Sequence, residues 1–446
     1  MSGMVAIVGV AELAPSVDGQ WSPVSMMALA AIEALQGLPI DMNAIDGLMT
    51  ASPLYHMPTL TLAEHLGIEP SYSDTTTIGG ASFVAHLRHA GAAIAAGLAT
   101  NFLIAYASSQ HSDGGRYVKS ASEPSPFEVP YGVRWPITGY AMRARRHMHE
   151  FGTTPEQLAE VAVAARHWSL QNPLAQFKDP ITILDVLESP IISDPLHRLD
   201  CCLVTDSAGA VIVTSVERAQ EMTDDPIIML GAAETHNARY ISGIPDFAQT
   251  PASITGPSAF AQARMAPTDM EFVQLYDAFT ISVILALEDL GFCPKGEGGR
   301  FVADGKLRPG GSLPFNTNGG GLSFRHGGML GLNLIVEAYR QLTGTAIGAQ
   351  LRSASVGLVH AIGGAQTASS TAILARRSST GYTSLKESTV TGPLFPRLAL
   401  TDEMCAMAGA YAAMVDVYRA RSTAIGQVVD GDFLRTIHNY QSTHRA

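Results

Sequence analysis

The sequence predicts an α/β protein whose core consists of two similar halves. Short apolar runs alternate with Ala-rich helical runs along much of the chain, which is typical of a parallel sheet covered by helices. Four features of the first half return in the same order in the second, beginning with Gly9-Val10-Ala11-Glu12 and Gly231-Ala232-Ala233-Glu234. Hydrophobic residues make up 46% of the chain and charged residues 15%, so a large buried core is expected.

The first half begins with a predicted buried strand over residues 4–12. Ser22 and Pro23 predict the start of a helix, because serine is a favoured N-cap and proline suits the first helical position. This helix is expected to end near Gln36, before Gly37. The remaining predicted elements of this half are a strand at 45–50, a short helix ending at Gly67, a strand at 75–78, an Ala-rich helix ending near Ala96 and a strand at 102–107.

Residues 110–200 interrupt this alternation with a stretch that is rich in proline and aromatic residues. Two helices are predicted inside it, one around 137–151 and one from Thr154 to about Ser169. The stretch is therefore interpreted as a long insertion that forms a lid or subdomain. Core-like sequence resumes at 203–215.

The second half repeats the predicted elements of the first. The counterparts are a strand at 272–275 for the one at 45–50, a strand at 355–360 for the one at 102–107, and the turn 320–323 for the turn 79–82. We therefore expect a first half over residues 1–225 that carries the insertion, a second half over 226–378, and an appendage of unknown role over 379–446.

The composition narrows the classes of partner and compartment. With 28 Lys and Arg against 40 Asp and Glu, the net charge of −12 argues against nucleic acid or anionic lipid as the main partner. The four cysteines form no CxxC pair, so we expect reduced thiols in a cytoplasmic protein. The uncharged runs at 90–110 and 354–375 contain Thr, Asn or Gly and are interpreted as helix or strand joined by a turn, not as membrane spans. No secretory leader, metal-ligand set or nucleotide fingerprint is evident, and no cofactor is expected.

The Gly79-Gly80 turn is the first candidate site. A glycine turn at the start of a helix presents backbone N–H groups near the positive helix end and can bind a phosphate or an oxyanion. The alternative is a tight turn that needs small residues for packing. Ser82 supplies a hydroxyl there but no base is adjacent in sequence. His86 and His89, three residues apart on the same helix, are expected to be packed polar residues, since a metal would need further ligands.

The stretch from Asn316 to Gly328 is the densest group of candidate residues. It is a glycine-rich loop that leads to His326 just before a helix. A histidine in that position can donate a hydrogen bond to an oxyanion or move a proton. A structural histidine is the alternative.

Tyr276 and Asp277 follow a predicted strand and precede a helix, where ligands of parallel sheets bind. Both can act as acid or base, although Asp277 equally suits the N-cap of the following helix. His360 ends the last predicted core strand, before Gly363 and its neighbour Gly364. Because these motifs all lie at strand ends, they can converge on one pocket.

The order of these motifs resembles the thiolase superfamily, and more closely its bacterial lipid-transfer or acetyl-CoA acetyltransferase-like branch, related to the sterol carrier protein X thiolases. The resemblance covers about residues 4–376. It implies a five-layered αβαβα fold with two duplicated halves, a homodimer, and acyl-CoA substrates. The stretches that carry it are GGASFVAHLRHAGAAIAAGLA, RRHMHEFGTTPEQLAEVAV, LDCCLVTDSAGA, QLYDAFTISVILALEDLGFCPKGEGG, LPFNTNGGGLSFRHGG and LVHAIGG.

The chain departs from the family at the positions that carry thiolase chemistry. Gly80 stands where thiolases have their nucleophilic cysteine, and Tyr276-Asp277-Ala278-Phe279 replaces the Asn/His-Glu/Asp-x-Phe motif. Only His326 remains of the Gly-His-Pro motif, and the region around His360 replaces the cysteine base near the C-terminus. Without a thiolate, an acyl-enzyme has no obvious carrier.

Three functions remain open from the sequence. The first is cleavage or formation of a C–C bond next to a CoA thioester without covalent catalysis, as in retro-aldolases, which the resemblance permits because some members without the cysteine cleave steroid side chains. The second is a thiolase-type acyltransferase with another nucleophile, and the third is a non-catalytic acyl-CoA- or lipid-binding subunit. The resemblance also implies a separately encoded small OB-fold subunit with a zinc ribbon. The expected catalytic residues are His326, Tyr276, Asp277 and His360, and the expected oxyanion- or substrate-binding residues are Gly80, Ser82, Asn316 and Gly363.

Overall fold

A computed structural model of the chain describes residues 5–14, 21–113 and 125–380. The first strand begins with the apolar residues of the predicted buried run. Ser22 caps the first helix by accepting the Ser25 N–H at 3.2 Å, as predicted. The elements of the first half are β1 (Val5–Glu12), α1 (Pro23–Ala34), β2 (Gly47–Thr50), α2 (Pro58–Leu66), β3 (Tyr72–Asp74), α3 (Ser82–Ala95) and β4 (Asn101–Ser108).

The inserted stretch contains the two predicted helices. Thr154 begins the second of them with a capping box, in which its hydroxyl accepts the Gln157 N–H and the Gln157 side chain accepts the Thr154 N–H. The elements of this stretch are α4 (Ile137–Phe151), α5 (Pro155–Ser169), α6 (Ile183–Glu188), β5 (Ile191–Ser193) and β6 (Leu196–His197), followed by β7 (Ser207–Ser215) and α7 (Val216–Met222).

The second half resumes the alternation of strands and helices. The uncharged run at 354–375 forms two antiparallel strands joined by a turn, as the sequence predicted. The elements are β8 (Ile227–His236), α8 (Ala252–Ala263), β9 (Val273–Leu275), α9 (Thr280–Asp289), α10 (Gly298–Ala303), α11 (Gly331–Thr343), β10 (Val356–Gly363) and β11 (Ala368–Arg376).

The strand order confirms the predicted duplication. The strands lie in the order β3-β2-β4-β7-β1-β8-β11-β10-β9, and β1 meets β8 through the pairs Ala6–Ile228 and Ile7–Ile227. Outward from this junction, the first half runs β1-β7-β4-β2 and the second runs β8-β11-β10-β9. These are the counterparts expected from the sequence, in the same order.

The helices form three layers around the strands. Helix α1 packs on β7, β4 and β1, and α8 packs on β8 and β11, so these two helices cover the outer faces. Helices α3 and α11 contact each other and strands of both halves, so they lie between the two halves. The succession α-β-α-β-α agrees with the expected five-layered architecture.

One predicted strand lies at a different place. The expected strand at 75–78 is found three residues earlier, as β3, because the Asp74 carboxylate accepts the Thr76 N–H at 2.7 Å and its hydroxyl at 2.8 Å. This local turn ends the strand. The appendage expected over 379–446 lies outside the described residues except for its first two positions. In the described part of the chain, no helix is long and apolar enough to cross a membrane.

Candidate active site

The glycine turns of the two halves meet backbone to backbone. A Cβ atom added to Gly79, whose φ is +70°, would lie 2.7 Å from Cα of Gly363, and one added to Gly363 would lie 1.8 Å from the Ile78 carbonyl oxygen. No side chain fits at either position, and Gly79 also needs the left-handed conformation that glycine favours. The motifs around Gly80 and Gly363 therefore converge, as expected from their places at strand ends.

The ring of Tyr276 occupies the space beside Gly80. A Cβ atom on Gly80 would lie 2.1 Å from Cε2 of Tyr276, far inside van der Waals contact. The phenol oxygen lies 3.0 Å from Nε2 of His326, donates to the Gly328 carbonyl at 3.1 Å and accepts the Leu330 N–H at 3.1 Å. Tyr276 and His326, both expected to be catalytic residues, are thus in direct contact.

Both members of this pair are buried and uncharged. Tyr276 is 5% exposed and His326 is 7% exposed. Burial raises the pKa of Tyr276 well above its usual value and lowers the pKa of His326 to about 4. The Gly328 N–H donates to Nδ1 of His326 at 3.3 Å, and this pattern assigns the ring proton to Nε2, which donates to the phenol oxygen. The phenol oxygen therefore accepts two N–H donors while its own proton points at a backbone carbonyl.

Asp277 anchors the glycine loop of the second half instead of serving Tyr276. Its carboxylate accepts the N–H groups of Gly321 at 2.7 Å and Leu322 at 3.1 Å. It is not the N-cap of α9, since Phe279 holds that position. Burial raises the pKa of Asp277 to about 6. The Asp277 carboxylate is therefore occupied by the glycine loop and not by the Tyr276 hydroxyl, which donates to the Gly328 carbonyl.

The His360 side chain points away from Tyr276 and His326, although its backbone carbonyl accepts the Tyr276 N–H at 2.9 Å. His360 lies inside β10, and its Nδ1 is 2.9 Å from the Thr371 hydroxyl, which contacts the Thr255 hydroxyl of the outer helix α8 at 2.8 Å. Successive side chains of a strand point to opposite faces. Ala361, the next residue, therefore faces the central helices. A Cβ atom added to Gly331 of α11 would lie 3.2 Å from Cβ of Ala361.

Asn316 and Ser82, expected as oxyanion- or substrate-binding residues, both bond backbone groups of their own turns in the structure. The Asn316 side chain accepts the Leu275 N–H and donates to the Leu275 carbonyl, both at 2.8 Å. Ser82 donates to the Gly79 carbonyl at 2.7 Å and accepts the Ile78 N–H at 2.9 Å. Both side chains are fully buried, so neither presents a polar atom to a ligand.

Three residues near the pair were missed in the sequence. Tyr106 donates to the Gly327 carbonyl at 2.5 Å, and the Thr205 hydroxyl accepts the His326 N–H at 3.0 Å. Tyr140, from the inserted helix α4, donates to the Gly364 carbonyl at 3.1 Å. The position of Tyr106 near the carboxyl end of a core strand was a usable signal. Nothing in the sequence indicates that Tyr140 reaches the site.

The described cysteines are poor nucleophiles. Burial raises the pKa values of Cys201 and Cys293 to about 12 and raises that of Cys202 further. Cys202 is the cysteine nearest the site, because its N–H donates to the Ala278 carbonyl within the Tyr276-Asp277-Ala278-Phe279 motif. Cys405 lies outside the described residues.

The pair lies just below the surface. Gly328 and Gly364 are exposed, so a ligand can approach at these two loops. Two cavities in the described part, of about 160 Å³ beside Trp21 and about 120 Å³ beside His236, are not lined by Tyr276 or His326. Among the residues that the structure describes, no group of three or more His, Cys, Asp or Glu side chains could hold a metal ion.

Comparison with known proteins gives a consistent result. A family model described as thiolase C-terminal domain-like matches residues 233–376. The 17-hydroxy-3-oxo-4-pregnene-20-carboxyl-CoA lyase of Mycobacterium tuberculosis is 34% identical over 78% of this chain and 93% of the relative. An acetyl-CoA acetyltransferase of Methanothermobacter thermautotrophicus is 35% identical over 69% of this chain and 81% of the relative. The solved Ltp2-ChsH2(DUF35) aldolase has a TM-score of 0.75 at 31% identity and covers 84% of this chain and 98% of that chain.

Proposed function

The chain belongs to the thiolase superfamily, in the branch of the sterol carrier protein thiolases, and we propose that it breaks or forms a C–C bond next to a CoA thioester without an acyl-enzyme. One observation carries this proposal: the Tyr276 ring fills the space that a side chain at Gly80 would need. The site therefore lacks the thiolase nucleophile, and a second residue, Tyr276, occupies the space that the nucleophile's side chain would need. Relatives named as a CoA-thioester lyase and as a side-chain-cleaving aldolase support the same reaction class.

The reaction needs a group that exchanges a proton with the β-hydroxyl of the substrate. We propose Tyr276 for this role. To accept that proton, the phenol must first release its own proton to solvent. The N–H groups of His326 and Leu330 both point at its oxygen and stabilise the phenolate so formed, against the effect of burial.

The reaction also needs donors that stabilise negative charge on the thioester oxygen as the enolate forms. The backbone N–H groups of the turn at Gly80 are the donors that we propose for this, because the one ring N–H of His326 is directed at the phenol oxygen of Tyr276. One such donor is worth on the order of 3 kcal/mol in sites where this has been measured. Gly363 contributes by its lack of a side chain, since it lets the two glycine turns touch.

Two other functions remain as alternatives. An acyltransferase needs a nucleophile, and the raised pKa values of the described cysteines disfavour a thiolate. A non-catalytic acyl-CoA- or lipid-binding subunit is favoured by one observation: every polar atom of the Tyr276–His326 pair already has a partner in the protein.

We also propose that the chain works in an assembly. The Ltp2-ChsH2(DUF35) aldolase was solved as a complex with a DUF35 subunit, which supports a small separate partner here. A low content of charged residues supports a homodimer, because subunit interfaces are depleted in charge. Light scattering should give twice the 47.1 kDa of the chain or more, and a monomer at micromolar concentration would contradict the dimer.

Replacing Tyr276 tests the proposed reaction. Tyr276→Phe removes only the phenol oxygen, so we expect acyl-CoA binding to persist and turnover to fall by about a hundredfold or more, as loss of an acid–base group does. Tyr339→Phe is the matched control, because it removes a half-buried phenol that also donates to a backbone carbonyl, that of Val8 at 3.2 Å, and is not part of the site. Its turnover should stay within a few fold of wild type. Equal turnover of Tyr276→Phe and wild type would refute the proposed role of Tyr276, whereas acyl-CoA binding without turnover in wild type would favour the binding subunit.

A further inference from the structure

A cluster of buried polar atoms without partners lies behind the site. His86, in helix α3, is fully buried, and neither of its ring nitrogens has a hydrogen-bond partner among the described residues. The same holds for Oγ of Ser370 and Oε2 of Glu234. Native structures leave few buried polar groups unpaired, and ordered water is the usual partner where the protein supplies none.

These groups share one face of the sheet. Ser370 of β11 lies directly opposite Glu234 of β8 and directly opposite Ala361 of β10. Residues opposite each other in antiparallel strands point to the same face. Helix α3 covers this face, since its His89 and Arg88 both contact Oε1 of Glu234, at 2.7 and 3.0 Å. The cluster of Ser370, His86 and Glu234, here called the inner polar cluster, therefore lies between the sheet and α3.

One end of the inner polar cluster reaches the reaction site. Ala361 lies opposite Ser370 in the neighbouring strand. A Cβ atom added to Gly331 would lie 3.2 Å from Cβ of Ala361 and 2.0 Å from the Gly80 carbonyl oxygen, so Ala361 and Gly80 are close to the same point. His86 follows Ser82 by one helical turn, and Ser82 closes the Gly80 turn. The cluster thus begins directly behind the residues that meet the substrate.

The other end reaches the solvent. Nδ1 of His89 contacts Asp74 at 2.5 Å while its Nε2 contacts Glu234, and the side chains of His89, Asp74 and Glu234 keep exposed fractions of 22%, 15% and 19%. These two carboxylates raise the pKa of His89 to about 9, so this end carries charge at neutral pH.

His86 has the hydrogen-bonding character that a water chain needs. Burial and the charge of His89 together lower its pKa to about 4, against the attraction of the Asp74 and Glu234 carboxylates. The Thr76 carbonyl lies near enough to raise the pKa slightly but makes no hydrogen bond of normal geometry. The ring is therefore neutral, with one nitrogen that donates and one that accepts.

We propose that the inner polar cluster binds ordered water, and that this water supplies the proton that the enolate carbon receives after C–C cleavage. The second part rests on the proposed function. Cleavage moves the electron pair of the broken C–C bond into the enolate, and the α-carbon then takes one proton from water to form a C–H bond. The water regains a proton through His86 and the charged end of the cluster, and no oxidation or reduction occurs. Ala361 is the β10 side chain that faces the Gly80 turn, and its methyl group cannot donate a proton, so the proposal assigns this role to water.

The water site is tested by a crystal structure of the full chain at a resolution that shows ordered water. We expect a water molecule within hydrogen-bond distance of Oγ of Ser370 and of Oε2 of Glu234 or a nitrogen of His86. Ser370→Ala, which removes only a hydroxyl, should lose or displace it. A dry cluster, or His86 bonded directly to Glu234, would overturn the proposal.

The proton transfer is tested by deuterium uptake from D₂O into the α-carbon of acetyl-CoA and propionyl-CoA. Ser370→Ala should slow this exchange about tenfold or more relative to wild type. Ser369→Ala is the matched control: Ser369 is equally buried and unpartnered, but lies opposite Ile362 and Thr235 on the other face of the sheet. Its exchange rate should stay within twofold of wild type.

The two arms separate failure of this proposal from failure of the proposed function. If wild type cleaves acyl-CoA substrates or exchanges their α-protons, and Ser370→Ala and Ser369→Ala exchange at the same rate as each other, the proposed proton transfer is wrong while the proposed reaction class stands. If wild type neither cleaves nor exchanges any acyl-CoA, the proposed function fails together with the proton transfer, and the crystal structure alone decides whether the cluster binds water.

Discussion

Substitution of Gly80 tests the claim that Tyr276 has taken the place of a nucleophile. Gly80→Ala places a Cβ atom 2.1 Å from Cε2 of Tyr276, whereas carbon atoms in contact prefer about 3.5–4.0 Å. The φ of Gly80 does not lie in the left-handed region, so the backbone accepts alanine without strain. The cost of this substitution therefore comes from the ring alone.

The magnitude follows from what holds the ring. Tyr276 can yield only by moving its phenol oxygen away from Gly328, Leu330 and His326, and each such hydrogen bond contributes about 0.5–1.5 kcal/mol net. Overpacking of a tight core by itself costs about 1–3 kcal/mol. We therefore expect Gly80→Ala to lower the free energy of unfolding by about 2–4 kcal/mol.

The assay is a double-mutant cycle with Tyr276→Ala, read by chemical denaturation. Once the ring is removed, Gly80→Ala should cost less than about 1 kcal/mol, so the coupling energy should be about 1–4 kcal/mol. Gly80→Cys should be destabilised in the same way and should not gain thiolase activity. Additive single and double variants, or a Gly80→Ala protein as stable as wild type, would refute the placement of the ring.

Two further predictions concern Asp277 and His360. Because burial raises the pKa of Asp277 to about 6, its carboxylate should be protonated as the pH falls through 6, which weakens its hydrogen bonds to the N–H groups of Gly321 and Leu322. Turnover should therefore fall below pH 6, although the contribution of this group to folding stability rises between pH 6 and 4. If Asp277→Asn has the same pH profile of turnover as wild type, this explanation is wrong. His360→Gln should keep the wild-type kcat/KM, because its side chain contacts Thr371 on the outer face of the sheet. A hundredfold loss of kcat would instead indicate that His360 takes part in the reaction.

The elements that followed from local rules were predictable. The Ser22 cap and the capping box at Thr154 need only a few neighbouring residues, and both helices begin where the sequence places them. The strand order of the two halves followed from repeated motifs. The resemblance supplied the layered architecture, which local patterns alone do not determine.

The side-chain contacts at the site that the sequence did not indicate depend on information that is not local. The face on which His360 points depends on which helix covers each side of β10, and the sequence does not specify that packing. The role of Asp277 is decided by Gly321, 44 residues later. Ser82 and Asn316 were assigned as binding residues because of their polarity, but turns of this kind use polar side chains to satisfy their own backbone groups.

The partners of Tyr276 illustrate the same limit. The sequence places His326 near it through the order of motifs, and that contact is confirmed at 3.0 Å. The Leu330 N–H and the Gly328 carbonyl are backbone groups, which any residue carries, so no residue type could mark them.

A mass balance on the cleavage reaction tests the central claim most directly. The chain, alone and with a DUF35 subunit, is incubated with a panel of β-hydroxyacyl-CoA thioesters in the presence and absence of free CoA, and products and intact protein are analysed by mass spectrometry. We predict one acyl-CoA and one ketone or aldehyde per substrate, at a rate that does not depend on free CoA, and no acyl adduct on the protein. Cleavage that requires free CoA, or an acyl group attached to the chain, would contradict the account.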